Sequence, residues 1–373
     1  MKFKNIRKPN ILILFLMVIT YLSSCSPLIP NKPYTSLENE NLFFEMSSDN
    51  LITMDNLTEE TASLDDFRKL VRKYRIAPPI SVFEEYYDII GPSAMLTVLE
   101  ENKFCHDESH NLGRLIFNRT QDLGKSMAIC GQRCTTGCFH GVLMGLFKQN
   151  DDHLKIDSIN SSYLLKNLCD TPKIAQNIAK GNCFHAIGHA LLFLTDYNIT
   201  KGLEYCKLLD EKAAVYYCTT GIFMEYDIAS SVYPTKNESL LYPCDTILDL
   251  PAACYRYKVR RLIRHSTNPN EIAKFCINLD KNRRLGCFHG LGFAYYKSIY
   301  NVPKSIINVC MHGNLDDQKM CIDGAIELVA MFNATVANEA CKFLNTSIRD
   351  YCFQEAKYRT FNMKKPLDLY YLS

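Results

Sequence analysis

The chain has 373 residues, 47% of them apolar, and a formal net charge of +2. That length suits one large domain or two ordinary ones, with enough apolar side chain for a true core. So small a charge excess argues against a nucleic-acid binder and leaves an acidic partner open. Seventeen cysteines would be a liability in a reducing cytosol, so they point to an oxidising compartment.

In chain order, Lys2, Lys4, Arg7 and Lys8 precede an apolar run from Ile11 to Leu22. The run is too short to span a bilayer with ease and has the pattern of a signal h-region. Leu22-Ser23-Ser24-Cys25 then resembles a prokaryotic lipobox. That resemblance implies a signal peptide over 1–24, lipidation of Cys25, and a cell-surface or periplasmic protein held to the membrane by its lipid. Residues 25–62, rich in Ser, Asn, Pro and Glu, read as a tether. A cysteine-rich helical domain is expected over 63–373, starting with a helix capped by Ser63 and stopped by Pro78-Pro79. Seven Asn-x-Ser/Thr sequons, at Asn56, Asn118, Asn160, Asn198, Asn237, Asn333 and Asn345, suit an exposed protein.

Beyond Cys25 sixteen cysteines remain, an even number fit for full pairing. Taken in order, Cys169/Cys183, Cys206/Cys218, Cys244/Cys254, Cys276/Cys287, Cys310/Cys321 and Cys341/Cys352 make six couples. Five are 10 to 12 residues apart and the first is 14. Their leading cysteines recur every 31 to 38 residues, a period proper to helix-hairpin repeats. Each unit reads as a short helix A ending at the first cysteine, a polar connection such as INLDKNRRLG, and a longer apolar helix B opened by the second. Cys105, Cys130, Cys134 and Cys138 supply two more bridges. Either Cys130 or Cys134 pairs with Cys138, and the other is left for Cys105; their spacings fit no zinc ribbon. Period and cysteine placement together resemble disulfide-stapled α/α repeats of the tetratricopeptide and Sel1-like kind. Their Ala/Gly consensus is absent, so the resemblance implies architecture alone: an all-α solenoid of about seven stapled hairpins.

At 100° per residue, the helix-B positions two and six after the cysteine lie opposite the staple. The first column reads His140, His185, Thr220, Arg256, His289, Asp323, Gln354. The second reads Met144, His189, Met224, Arg260, Phe293, Glu327, Tyr358. Three after the cysteine come Gly141, Gly221, Gly290 and Gly324, small residues expected to admit helix A. In a solenoid the helix-B faces commonly line a concave surface, so the leading expectation is a binding or scaffold protein. Its polar groove would take a protein, a glycan or a small anionic ligand, the last along the stripe Arg256, Arg260, Arg264.

The alternative is chemical. His106/His110 and His185/His189 each have i, i+4 spacing, which puts two imidazoles on one helix face. With His140, and with His289 as an outlier, they could ligate a transition metal or a haem iron, and Glu225 and Asp227 are the nearest carboxylates. Such a site could belong to an enzyme, but no His-Glu-x-x-His, Cys-x-x-Cys-His, P-loop, nucleophile elbow or dinucleotide fingerprint accompanies it.

Overall fold

The computed structural model describes residues 54–74, 77–101, 105–149, 165–232, 239–358 and 363. The expected signal peptide, Cys25, most of the expected tether and the sequons at Asn160 and Asn237 lie outside them. Among the described residues every regular element is helical, and no helix is long and apolar enough to cross a membrane.

The first helices are α1 (Met54–Val71) and α2 (Ile80–Glu100), separated by the expected proline stop. α1 begins nine residues before Ser63, because nothing between Met54 and Ser63 breaks a helix. Gly91, at φ 74°, and Pro92 kink α2. Then come α3 (His110–Thr120), α4 (Leu123–Cys130), α5 (Gly137–Gln149), α6 (Pro172–Ala175), α7 (Lys180–Leu194), α8 (Ile199–Cys206), α9 (Lys212–Val232) and α10 (Pro251–Leu262). The last are α11 (Pro269–Ile277), α12 (Lys281–Asn301), α13 (Ile306–Cys310), α14 (Leu315–Phe332), α15 (Ala334–Lys342) and α16 (Thr346–Glu355).

All six repeat couples are disulfides: Cys169–Cys183, Cys206–Cys218, Cys244–Cys254, Cys276–Cys287, Cys310–Cys321 and Cys341–Cys352. The remaining four cysteines pair as Cys105–Cys134 and Cys130–Cys138. Each repeat bridge closes a loop of 10 to 14 residues, worth about 2–3 kcal/mol in chain-entropy terms.

The place of the second cysteine differs from the expectation that it opens helix B. Cys183 and Cys254 are each the fourth residue of their helices, α7 and α10. Cys218, Cys287, Cys321 and Cys352 are each the seventh, in α9, α12, α14 and α16. The reason is upstream. Pro251, at the first turn of α10, starts that helix before Cys254. Asp280 accepts from the Arg283 amide and so draws the polar connection before Cys287 into α12. Asn314 and Asp317 start α14 in the same way with a capping box. The first cysteine ends helix A as expected at Cys206 and Cys310, but Cys169 lies in a single 3₁₀ turn and Cys244 in a turn without a helix. Thr171-Pro172 follows Cys169 and Pro243 precedes Cys244, and proline disfavours helix on its N-terminal side.

The glycines have a different partner from the one expected. A Cβ on Gly141, Gly221 or Gly324 would overlap the carbonyl oxygen of His110, His185 or His289, each on the preceding helix B. Gly113, Gly188 and Gly292 meet Cys138, Cys218 and Cys321 reciprocally. Successive B helices (α3, α5, α7, α9, α10, α12, α14) therefore pack directly on one another, with backbone against backbone where α3 meets α5, α7 meets α9, α10 meets α12 and α12 meets α14. Arg260 of α10 reaches back to Asp107, which lies just before α3. The row of B helices thus curls until its inner face closes. That face carries the two polar columns.

Candidate metal centre

The curl decides where the polar columns point. His140, His185, Thr220, Arg256, His289 and Asp323 are fully buried, and Gln354 alone of the first column is exposed. The columns line an interior rather than the open groove expected of a solenoid.

Five histidines meet in that interior. The His106 ring lies 4.7 Å from that of His140, His110 lies 4.8 Å from His189, and His140 lies 4.9 Å from His189 (centroids). One ring nitrogen from each of His106, His110, His140 and His189 falls within 4.8 Å of the other three. Three of these side chains are buried, and His106 is partly exposed.

The hydrogen bonds decide which nitrogen of each ring is available. His106 Nδ1 donates to the Thr135 carbonyl at 3.0 Å, which leaves Nε2 buried and without a partner. His140 Nε2 donates to Asn182 Oδ1 at 3.0 Å, and Asn182 Nδ2 in turn donates to Thr136 Oγ1 at 2.6 Å. This leaves His140 Nδ1 unpartnered. Glu225 Oε2 accepts from His189 Nδ1 at 2.9 Å and lies 3.5 Å from His110 Nδ1, whose Nε2 is again unpartnered. Each ring is thus anchored on its far side by an oxygen and offers a lone pair inward. Metal-ligating histidines are held in this way.

His185 is the fifth ring. Thr220 donates to the Tyr217 carbonyl at 2.6 Å, so it accepts from His185 Nδ1 at 2.8 Å. The Nε2 atoms of His185 and His189 then face one another across 3.1 Å, lone pair to lone pair. A proton or a metal ion between them relieves that repulsion.

Charge follows burial. Burial, with the neighbouring His110, pushes His106 down to about 3. Burial and the neighbouring imidazoles hold His140 and His185 well below their ordinary value, and burial lowers His189 despite its carboxylate partner. Burial opposes ionisation of Glu225, but hydrogen bonds from His110 and His189 outweigh it and keep the carboxyl ionised. At neutral pH His106, His140, His185 and His189 are therefore neutral imidazoles beside one carboxylate, the protonation state that binds metal.

The residues that aim these rings come from a short turn. Cys134, Thr135 and Thr136 have φ of 50°, 52° and 68°, the left-handed region that β-branched residues avoid at about 1–3 kcal/mol each. The Cys105–Cys134 and Cys130–Cys138 bridges pin the turn on both sides. Neither the turn nor Asn182 figures among the residues singled out from sequence. The ordering partner of a ligand lies wherever tertiary packing brings it, and no spacing encodes that.

His289 stands apart from these five. Its Nε2 lies 3.3 Å from Asp323 Oδ2 and 3.5 Å from Glu327 Oε1, all three side chains being buried. Arg256 Nη2 bonds Glu327 Oε1 at 2.6 Å. The arginine stripe accordingly does not form one anion site. Arg256 is committed to Glu327, Arg260 pairs with Asp107 and lies 3.6 Å from Asp227, and Arg264 lies exposed beyond the end of α10. Asp227, one of the two carboxylates placed near the histidines by sequence, serves Arg260 instead. The twelve cysteines of the repeat, Cys183, Cys254, Cys287 and Cys352 among them, serve as staples and lie in bridges outside the histidine cluster.

Comparison with family models, with curated proteins and with solved structures finds no match.

Proposed function

We propose that this chain is an extracytoplasmic metal-binding protein that holds one transition-metal ion between His106, His110, His140 and His189. The observation that carries this reading is a set of four converging ring nitrogens, three of them unpartnered and the fourth, on His189, faced only by the His185 ring, each on a ring whose other nitrogen is held by an oxygen. A buried polar atom left without a partner costs about 1–3 kcal/mol, and three such atoms aimed at one point are explained together by one cation. Four nitrogens on one ion at about 2.0–2.1 Å stand about 3.3 Å apart in a tetrahedron, so small ring rotations close the observed set.

The donors narrow the ion. All sixteen cysteines beyond Cys25 are disulfide-bonded, so none of them competes as a thiolate, and imidazole nitrogen suits zinc, copper, nickel or iron. Nitrogens this close surround a point and leave no room between them for a porphyrin plane, so an ion fits better than haem. Four imidazoles fill a tetrahedral set, whereas a catalytic site keeps an open position; the reading is of a binding protein. Eight disulfides require an oxidising compartment, and the lipobox-like sequence ending at Cys25 supports attachment to a membrane there.

The test is elemental analysis of the oxidised protein from residue 26 onward, purified without a histidine tag. One ion per chain is expected, lost from His106→Ala/His140→Ala and retained by His289→Ala. A folded wild-type protein that takes up no zinc, copper, nickel or iron overturns the reading.

A further inference from the structure

We infer that ion retention is gated by the Cys105–Cys134 disulfide, so that the site is assembled in the oxidised protein and loosened when that bridge is reduced. This rests on the metal-binding reading above and concerns the control of the same site.

Adjacency along the chain couples this bridge to the site. Cys105 directly precedes the ligand His106, and Cys134 directly precedes Thr135. The Thr135 carbonyl is the acceptor that fixes His106 Nδ1, at 3.0 Å. The bridge therefore closes a small ring in which the only non-covalent link is the hydrogen bond that orients a ligand. One residue further on, Thr136 accepts from Asn182, and Asn182 holds His140. A single turn thus aims two of the four rings, His106 in the segment before α3 and His140 on α5.

That turn is one an unrestrained chain leaves. Three successive non-glycine residues are in the left-handed region, and two of them are threonines, for which it is least favourable. With Cys105–Cys134 intact, the turn is tied to the residue before His106 on one side. Cys130–Cys138 ties it to the start of α5 on the other. Opening the first bridge lets Cys134 and Thr135 return to ordinary backbone angles, and the Thr135 carbonyl then swings off His106. Of the six repeat bridges Cys169–Cys183 alone adjoins an acceptor of a ligand, Asn182, and that residue lies in the regular helix α7 rather than in a left-handed turn; the other five staple each helix B to the segment before it.

All sixteen bridged cysteines are buried, Cys134 at 4% exposure, so a reductant reaches this bridge when the turn beside it opens. A dithiol reductant attacks the disulfide through its thiolate and forms a mixed disulfide. Its second thiol then resolves that species, giving two cysteine thiols and the reductant's own disulfide, with two electrons and two protons transferred. Reoxidation by a disulfide of the same class reverses the step.

The experiment uses oxidised protein loaded with cobalt(II), whose visible absorption reports coordination, and zinc affinity measured by competition with a chelating dye. Cys105→Ala/Cys134→Ala should bind zinc at least tenfold more weakly, the range found when a ligand's orienting partner is lost. Cys341→Ala/Cys352→Ala, which removes the bridge of the last unit, should bind as the wild type does. In the wild type, graded dithiol should release cobalt in step with alkylation of Cys105 and Cys134, before other bridges open. This arm needs no variant to fold. Unchanged affinity in a folded Cys105→Ala/Cys134→Ala variant overturns the inference, as does cobalt held as tightly or more tightly by wild type in which Cys105 and Cys134 have been reduced. Failure of the oxidised wild type to bind any ion would instead overturn the metal reading beneath it.

Discussion

The two halves of the helix-B row use the same positions for opposite ends. In the first half, His140 and His185 occupy the column two after the cysteine, and His189 the column six after. In the second, His289, Asp323 and Glu327 occupy the same columns. Both sets are buried, and in both the helices meet through glycines against carbonyls. The difference lies in the charge each set encloses. The second set has its cation built in, since Arg256 lies 2.6 Å from Glu327. The first set turns neutral nitrogens toward a common point. One repeat geometry therefore serves as a closed ionic network in one half and as a set of metal donors in the other.

The largest effect should come from breaking the built-in pair. Arg256→Met removes the guanidinium from a carboxylate in the interior and should cost about 3–5 kcal/mol of stability, read from urea denaturation. Arg256→Met/Glu327→Leu should recover most of that loss while leaving the ion content unchanged. If the double variant lost the ion, the two halves would not be independent.

The next effect lies in the first half. Glu225→Gln keeps an acceptor for one ring but removes the negative charge beside two, and should weaken zinc binding about 10- to 100-fold, measured by dye competition. A smaller effect should come from the helix crossings. Gly188→Ala forces α7 away from the Cys218 carbonyl and should cost about 1–3 kcal/mol. It should also weaken zinc binding, because α9 carries Glu225. Gly292→Ala, the corresponding crossing of α12 on α14, should cost similar stability and leave zinc affinity alone. Equal effects of both on affinity would erase the distinction between the halves.

The smallest effect per step is on pH. Burial lowers His140, His185 and His189 below their ordinary value near 6.5. Between the folded and unfolded values the unfolded chain binds more protons. Stability is then complete above about pH 6.5 and declines as the pH falls, by up to about 1.4 kcal/mol per unit for each imidazole. The metal-free protein should melt progressively lower from pH 7 to pH 5. His140→Gln/His185→Gln should flatten that slope. A wild-type slope no steeper than that of the variant would show that the rings are not buried in the neutral form.

Much of this molecule is written in local order. Cysteine couples at short, regular separation dictate both the helix-hairpin repeat and its disulfides, because a bridge spanning 10 to 14 residues has few alternative partners. Helix starts were less legible from the cysteines: Cys183, Cys254, Cys287 and Cys352 sit one or two turns inside their helices, since caps and prolines rather than staples decide where a helix begins. The polar columns survive that shift, since helical periodicity alone puts the second and sixth residues after the cysteine on one face. The i, i+4 pairs His106/His110 and His185/His189 and the carboxylate Glu225 are visible in the same way. Whether that face opens to solvent or closes is a matter of curvature, and curvature depends on how near one helix B approaches the next. Gly113, Gly141, Gly188 and Gly221 set that distance through contacts between residues about 30 apart. The pairing of Cys105 with Cys134, the left-handed turn beside it and the hold of Asn182 on His140 are likewise non-local. The sequence by itself determined a stapled all-α repeat with histidines in register; only the tertiary structure decided that the register faces inward and that four of those histidines converge.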